Sequence, residues 1–136
     1  MNADEAREFV SRHHRAVLVT RRSSGGVQTS PVTAGVDGDG YVTISSRETA
    51  YKTRNLRRDP NATLCVFTDA FIGPWVQIEG RAHIVPLPDA MEGLIDYYRR
   101  ISGEHPDWED YRRAMNEQRR VLIRVSFDRV GPTRAG

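Results

Sequence analysis

Hydroxyl and basic side chains near the middle of the chain are of the types that bind a phosphate group. Ser45 and Ser46 end a β-branched segment, and Lys52 follows in a segment of helical composition. A helix start offers free backbone N–H groups and a positive dipole, both of which suit an anion. The pattern predicts phosphate binding between these serines and Lys52. The alternative is that Ser46 only caps the helix and the basic side chains form a solvated face.

The charge distribution predicts one local anion site. The net charge of the chain is only +2, and Lys52 is its single lysine beside 19 arginines. A lysine is a compact point charge that an arginine does not replace, which favours a specific role for Lys52. Because the rest of the chain is nearly balanced, we expect no nucleic-acid partner. The local cluster comprises five basic residues and the acid Glu48: Arg47, Lys52, Arg54, Arg57 and Arg58.

The sequence lacks the usual motifs of side-chain catalysis. None of the four histidines, His13, His14, His83 and His105, has a second ligand at metal-binding spacing, so we predict no metal site. There is no nucleophile elbow and no phosphate-binding glycine loop after a strand. Cys65 lies in an apolar segment and is predicted to be an inert core thiol. A phosphate site without a nucleophile suggests that a bound cofactor carries the reaction, so no catalytic residue is assigned.

Aromatic side chains near the basic cluster are candidates for the walls of a cofactor site. Tyr51, Phe71 and Trp75 flank the helix and loop closest to the predicted phosphate site. Flat rings there would cover a fused ring system. Trp75 has an alternative role, which is to seal a barrel or a subunit interface.

The hydrophobic pattern predicts a small antiparallel barrel. Pro31 inside the second strand indicates an edge or bulge, and Gly80 in the fifth indicates a bend or bulge. Strands in hairpin-like order with helices between them favour a closed antiparallel sheet over a parallel α/β fold. The predicted strands are 16–21, 27–36, 41–46, 62–68, 75–85 and 121–130, and the predicted helices are 2–13, 49–58, 88–101 and 107–118.

Length and composition are typical of one small globular domain spanning residues 1–136. The chain has a mass of 15.4 kDa, with 38% hydrophobic and 28% charged residues. No apolar run is long enough for a membrane-spanning helix, and the N-terminus lacks a secretory signal. The single cysteine excludes an internal disulfide. These features predict a cytoplasmic protein that does not enter a membrane.

Four stretches resemble the flavin-binding split-barrel superfamily that includes the pyridoxamine 5'-phosphate oxidases. More narrowly, the chain resembles the actinobacterial branch of reductases that use the deazaflavin coenzyme F420. The resemblance covers nearly the whole chain and implies a six-stranded antiparallel split β-barrel with short helices (α+β), assembled as a homodimer. The stretches are 28–32, 45–60, 97–108 and 119–122.

The resemblance also implies which residues bind the cofactor. Ser45 and Lys52 would contact its phosphate, and the backbone at residues 30–32 would face its ring. Residues 73–75 would contribute from the same or the partner subunit, with two cofactor sites at the dimer interface. The full cofactor-binding set expected from the residues and the resemblance is Ser30, Pro31, Val32, Ser45, Ser46, Tyr51, Lys52, Asn55, Pro74 and Trp75.

The implied function is transfer of a hydride from reduced coenzyme F420 to a small conjugated organic substrate. One alternative is an FMN-dependent oxidase similar to pyridoxamine 5'-phosphate oxidase, with oxygen as the acceptor. Another is a non-catalytic protein that stores a cofactor or a haem-like ligand. The sequence ends at Gly136, soon after the last predicted strand, without the C-terminal segment that classical pyridoxamine phosphate oxidases use, so we do not expect vitamin B6 oxidation.

Overall fold

The computed structural model describes residues 1–132, which form a curled antiparallel sheet with four helices. The last four residues, and with them the expectation about a C-terminal substrate segment, lie outside the described residues. The helices are α1 (Ala3–Arg12), α2 (Tyr51–Arg58), α3 (Met91–Ser102) and α4 (Trp108–Glu117). The strands are β1 (Arg15–Arg21), β2 (Val27–Thr33), β3 (Gly35–Val36), β4 (Val42–Arg47), β5 (Asn61–Phe67), β6 (Trp75–Val85), β7 (Arg120–Val125) and β8 (Arg129–Gly131).

The sheet curls because one chain segment lies at both ends of its strand order. The order is β2-β1-β5-β6-β7-β4-β3, with β8 added beside β6. β2 and β3 are separated only by Ala34, so this segment pairs with β1 through its first part and with β4 through its last two residues. Ala34 is fully buried, and both its N–H and its carbonyl bond to His14 at 2.8 Å. The predicted split-barrel fold is confirmed.

A second crossover lies at Gly80 in β6. The first part of β6 pairs with β5 and β8, whereas residues 82–85 pair with β7. A Cβ atom at Gly80 would lie 1.8 Å from the carbonyl oxygen of Ser126, so only glycine permits this close backbone approach. The predicted special role of Gly80 therefore has a steric cause. The backbone of the segment after β7 crosses β6 at this point.

Two predicted strands are divided in the structure. The segment 27–36 forms β2 and β3, and Pro31 lies on the edge strand β2, as predicted. The single strand predicted over 121–130 is wrong. The ladder with β4 ends at Val125, and β8 pairs instead with residues 77–79 of β6. The six predicted strands thus correspond to eight strands, because two of the six are divided.

Two hydrophobic clusters hold the molecule together. The main one fills the curled sheet with side chains that alternate along the strands, including Leu18, Ile44, Leu64 and Ile78, all 1% exposed or less. The second lies on the other face of β7, where Leu122 packs against α3 and α4. Because a strand can present both faces to apolar partners, β7 carries the barrel core on one side and the helical pair on the other.

The segment around Cys65 differs from the sequence prediction. A strand buried on both faces was expected, with Cys65 packed in the core. In β5, only Ala62, Leu64 and Val66 are buried, while Thr63, Cys65 and Phe67 are half-exposed on the outward face. The prediction is wrong because an antiparallel sheet covers one face with the core and leaves the other open. Burial still raises the pKa of the Cys65 thiol.

The helix boundaries follow the predicted capping residues. Asn2 and Glu5 form a reciprocal capping box at the start of α1, and the Asp107 side chain accepts from the Asp110 N–H at the start of α4. α2 begins two residues later than predicted, and Pro88 lies in the turn before α3. Among the described residues, no helix has both the length and the apolar character needed to span a membrane.

Candidate functional site

A cleft of about 750 Å³ lies between the sheet and the α3–α4 pair. Residues of β1, β2, β4 and β5 form its floor. The first residues of α2 and of β7 form one end, and α3 and α4 form the far wall. It joins residues that are far apart in the sequence. The lining residues include Ala16, Pro31, Val32, Thr33, Ser45, Lys52, Phe67, Tyr97, Tyr98, His105, Asp110, Tyr111, Met115 and Arg120.

Three cations lie at or beside one end of this cleft: Lys52 and Arg120 line it, and Arg47 is exposed next to Arg120. Arg47 of β4 and Arg120 of β7 are direct cross-strand partners, and like charges in that position repel. Lys52 lies beside them at the start of α2. Burial, then Arg120 and then Arg47, hold the pKa of Lys52 below its usual value, and burial and Arg47 lower that of Arg120. Within residues 1–132, none of the three side chains forms an ion pair with a carboxylate, so this end of the cleft carries excess positive charge.

The start of α2 adds to this positive potential. Its N-cap, Ala50, offers no side-chain hydrogen bond, and no acidic residue lies in the first turn. The first N–H groups of a helix have no acceptor within the helix and carry its positive dipole end. Ser45 lines the cleft on the adjacent strand. A phosphate group would pair with the charge of Lys52, and its oxygens would accept hydrogen bonds from the Ser45 hydroxyl and from the free N–H groups of this helix start.

Buried hydrogen bonds fix α2, and therefore Lys52, against the sheet. The Thr53 hydroxyl donates to the carbonyl oxygen of Arg47 at 2.7 Å and lies 2.8 Å from the Ser46 hydroxyl. Asn55 Nδ2 donates to the Thr20 hydroxyl at 3.1 Å in the core. These contacts attach α2 to β4 on one side and to β1 on the other. Lys52 is thus placed by two polar residues whose own side chains point away from the cleft.

Several predicted cofactor residues do not lie on the cleft. Ser46 is fully buried behind the cleft. Asn55 belongs to α2, and its side chain is buried between this helix and the sheet. Ser30 is buried on the inward face of β2, and Tyr51 is 69% exposed. Pro31, Val32, Ser45 and Lys52 line the cleft, whereas the remaining predicted residues, Pro74 and Trp75, do not.

Tyr97 links the far wall of the cleft to its floor. Its hydroxyl donates to the carbonyl oxygen of Thr33 at 2.7 Å, joining α3 to the end of β2. Burial raises the pKa of Tyr97, although a backbone hydrogen bond from Ser45 and the charge of Arg120 act in the opposite direction. Tyr97 therefore lies between the phosphate end and the strip formed by Pro31 and Val32. No role was assigned to it from the sequence.

An aromatic cluster forms the wall contributed by α3 and α4. The rings of Tyr98, His105, Trp108 and Tyr111 lie 5.1–5.7 Å from one another. The Tyr111 hydroxyl donates to the Leu94 carbonyl oxygen at 2.9 Å. Burial and the neighbouring Tyr97 raise its pKa to about 12, so Tyr111 stays protonated at neutral pH. These rings, rather than Tyr51 and Phe71, are the aromatic wall of the cleft.

Four of the residues missed from the sequence lie in the stretches 97–108 and 119–122, which carried the resemblance but no assigned roles: Tyr97, Tyr98, His105 and Arg120. Phe67, Tyr111 and Met115 were missed outside these stretches. Arg120 could have been found only through its register with Arg47, which requires knowing that β7 pairs with β4. Among residues 1–132, no group of three His, Cys, Asp or Glu side chains is arranged to hold a metal ion.

Comparison with known proteins places this cleft in a known fold. The family model described as pyridoxamine 5'-phosphate oxidase matches residues 3–134. A conserved hypothetical protein from Mycobacterium tuberculosis is 25% identical, with a TM-score of 0.77 over 96% of this chain and 82% of that one. A protein named F420 reductase is 21% identical, with a TM-score of 0.68 over 91% and 94% of the two chains. A heme-binding protein from Mycobacterium smegmatis is 20% identical, with a TM-score of 0.72 over 97% of this chain and 55% of that one.

The hydrogen bonds of Asn55 lead to a prediction about stability. The substitution Asn55→Ala should lower the free energy of unfolding by about 1–3 kcal/mol, because it leaves the buried Thr20 hydroxyl without its partner. Denaturant unfolding monitored by circular dichroism measures this change. Adding Thr20→Val to Asn55→Ala should recover part of the loss, since both polar partners are then absent. A fully stable Asn55→Ala variant with strongly weakened ligand binding would instead show that Asn55 contacts the ligand.

Proposed function

The chain belongs to the pyridoxamine 5'-phosphate oxidase family, and from that premise we propose that it is an oxidoreductase holding a flavin-type cofactor in this cleft. The cofactor proposed is coenzyme F420, and the reaction is hydride transfer to a small conjugated organic substrate. The observation that carries the proposal is the group of three cations, Arg47, Lys52 and Arg120, without a carboxylate partner among the described residues.

The residues present fit a phosphate-bearing cofactor. Unneutralised charge at the half-buried positions of Lys52 and Arg120 costs free energy, and a bound phosphate offsets that cost with charge-assisted hydrogen bonds. Ser45 offers a hydroxyl, and the start of α2 offers backbone N–H groups beside it. Arg15 also lines the cleft, but Asp69 pairs with its guanidinium at 2.8 Å. The free positive charge is thus confined to the end where the phosphate is proposed.

The chain's own residues position the ligand and shield the cleft. When bound, a flavin-type cofactor supplies the hydride chemistry. Pro31 and Val32 lie on the edge strand β2, where a flat ring can pack against them. The proline has no N–H group, so this stretch offers the ring one hydrogen-bond donor fewer. Phe67 and Met115 add apolar surface, and the aromatic wall restricts the access of water. We assign no side chain as a proton donor.

Coenzyme F420 is preferred to FMN because positive charge continues beyond the cleft. Arg119 and Arg120 border a second hollow of about 290 Å³, adjoining the phosphate end. The deazaflavin coenzyme carries an oligoglutamate tail after its phosphate, whereas FMN ends there. The similarity to the protein named F420 reductase supports the same choice. Glu48 also borders this hollow, but Arg57 pairs with it in a bidentate contact at 2.6 and 3.0 Å.

A cofactor titration with a Lys52 variant tests this proposal. Lys52→Met should weaken cofactor binding about 10- to 100-fold, the value of one hydrogen bond to a charged group. Fluorescence or absorbance titrations with F420 and with FMN measure the affinity. Arg54→Ala is the matched control, since Arg54 is exposed on the same helix and does not line the cleft. Unchanged affinity in Lys52→Met would contradict the proposed site, and tight binding of FMN alone would favour the FMN-dependent oxidase.

The lowered pKa of Lys52 predicts the sign of a pH effect. Between its folded pKa and 10.5, the unfolded chain binds more protons at Lys52 than the folded chain. The destabilisation due to charged Lys52 is therefore fully present below the folded pKa and is lost as the pH rises towards 10.5. Without cofactor, Lys52→Met should be at least as stable as the wild type at neutral pH, and this difference should shrink at alkaline pH. Thermal unfolding of both proteins across this range measures it, and an advantage of Lys52→Met that grows with pH would contradict the assignment.

We also propose that the chain is a cytoplasmic homodimer with the cofactor sites at its interface. The cleft opens onto the outward face of β1 and β5, where Val17, Val19 and Cys65 form a half-buried apolar strip. Phe71 and Ile72, in the loop after β5, are 69% and 80% exposed. Because Phe67 belongs both to this face and to the cleft, a partner covering the face would also border the cofactor.

The dimer predicts a mass and a sensitive position. Analytical ultracentrifugation should give about twice 15.4 kDa for the wild type. Val17→Arg should shift the equilibrium towards the monomer, since it places a charge on the outward strip while its side chain still reaches solvent. Val27→Arg, at the exposed far end of β2, is the control and should leave the mass unchanged. A single-chain mass for the wild type at micromolar concentration would refute the dimer.

A further inference from the structure

We propose that His105 is a substrate-binding residue whose Nε2–H donates a hydrogen bond to the carbonyl or nitro oxygen of a neutral, planar acceptor. The proposal deepens the proposed function, on which it rests for the identity of the cleft as a reaction site. Its basis is the way the α3–α4 connection holds the imidazole ring at the wall of the cleft.

The hydrogen bonding of His105 fixes its tautomer. The backbone N–H of Asp107 donates to His105 Nδ1 at 2.9 Å. A ring nitrogen that accepts an N–H cannot carry a proton, so the neutral ring has its proton on Nε2. Within residues 1–132, Nε2 has no hydrogen-bond partner. A free donor on a ring that lines the cleft is available to a ligand.

The ring of His105 is held in place before any ligand arrives. Its centroid lies 5.1 Å from that of Tyr98 and 5.5 Å from those of Trp108 and Tyr111. Glu104, the preceding residue, accepts from Trp108 Nε1 at 3.1 Å and pairs with Arg99 at 2.8 Å. The connecting segment is therefore braced on both sides of His105. A donor that is already oriented loses little conformational entropy when a ligand binds.

The surroundings of His105 indicate the class of ligand. Tyr98, Tyr111 and Met115 present ring and thioether surface, which suits a flat apolar molecule. Asp110 is the single carboxylate among the described cleft-lining residues, and Arg113 pairs with it, so its charge is compensated. The cations lie at the phosphate end, beyond Tyr97. A ligand at the His105 wall thus meets an apolar surface and a hydrogen-bond donor, with no unpaired cation beside them among the described cleft-lining residues, and this favours a neutral acceptor over an anion.

Imidazole NMR of the wild-type protein tests the tautomer and the contact directly. With histidine labelled with ¹⁵N, His105 should show an unprotonated Nδ1 and a protonated Nε2, and its signals are assigned by their loss in His105→Phe. Nitrobenzene, added in the presence of inorganic phosphate, should shift the Nε2 signal in a saturable manner. Isopropylbenzene, which has a similar shape but no acceptor oxygen, should bind without that shift. A proton on Nδ1, or a nitrobenzene titration that leaves Nε2 unmoved, overturns the proposal.

Binding constants provide the second test. Benzoate has the shape of nitrobenzene but a full negative charge, and it should bind at least about tenfold more weakly because no free cation at this wall compensates the loss of its hydration. His105→Phe keeps an aromatic ring in the cluster and should weaken nitrobenzene binding about fivefold, the weight of one neutral hydrogen bond. His83→Phe, an exposed histidine on β6 away from the cleft, is the matched control. Equal binding of nitrobenzene to wild type and His105→Phe would assign His105 a packing role only. Since no cofactor is added, failure of F420 or FMN to bind is a separate result that affects the proposed function alone.

Discussion

The repulsion between Arg47 and Arg120 is the constraint around which the site is arranged. The register of β4 against β7 places these two cations opposite each other, and Lys52 adds a third charge from the start of α2. A sheet keeps such an arrangement at a cost in stability, which the binding of an anion offsets. Buried hydrogen bonds of uncharged side chains fix α2 beside these cations: Thr53 bonds to β4 and Asn55 to β1.

The curl of the sheet and the helical pair together create the cleft. Ala34 turns the chain between β2 and β3, so the strip at Pro31 comes close to β4 and its Ser45. Leu122, on the opposite face of β7 from the barrel core, anchors α3 and α4 above that strip. The cleft thus has a cationic end set by strand register and an aromatic wall set by helix packing. A phosphate-bearing ring cofactor and a flat acceptor need these two environments side by side.

Sequence patterns were sufficient for most elements and for four of the residues that line the cleft, Pro31, Val32, Ser45 and Lys52. Residue type and near neighbours were enough to predict the capping by Asn2 and by Asp107, the edge position of Pro31 and an irregularity of the strand at Gly80. The division of 121–130 into β7 and β8 was not readable, because alternation continues across the break while the pairing partner changes. The same limit applies to Cys65, since an apolar strand looks alike whether one face or both faces are covered.

The sequence by itself determined that this protein has one basic cluster with a single lysine beside a strand-to-helix junction, and that its strands alternate as in a small antiparallel barrel. Residue type, spacing and local backbone preference depend on near neighbours in the chain, so these features need no knowledge of the fold. Tertiary structure alone decided that Arg120 lies opposite Arg47. It also decided that buried hydrogen bonds of Ser46 and Asn55 hold α2 on the sheet, and that His105 and Tyr111 belong to the aromatic wall of the cleft. Those placements follow from strand register and helix packing, which join residues some 70 positions apart.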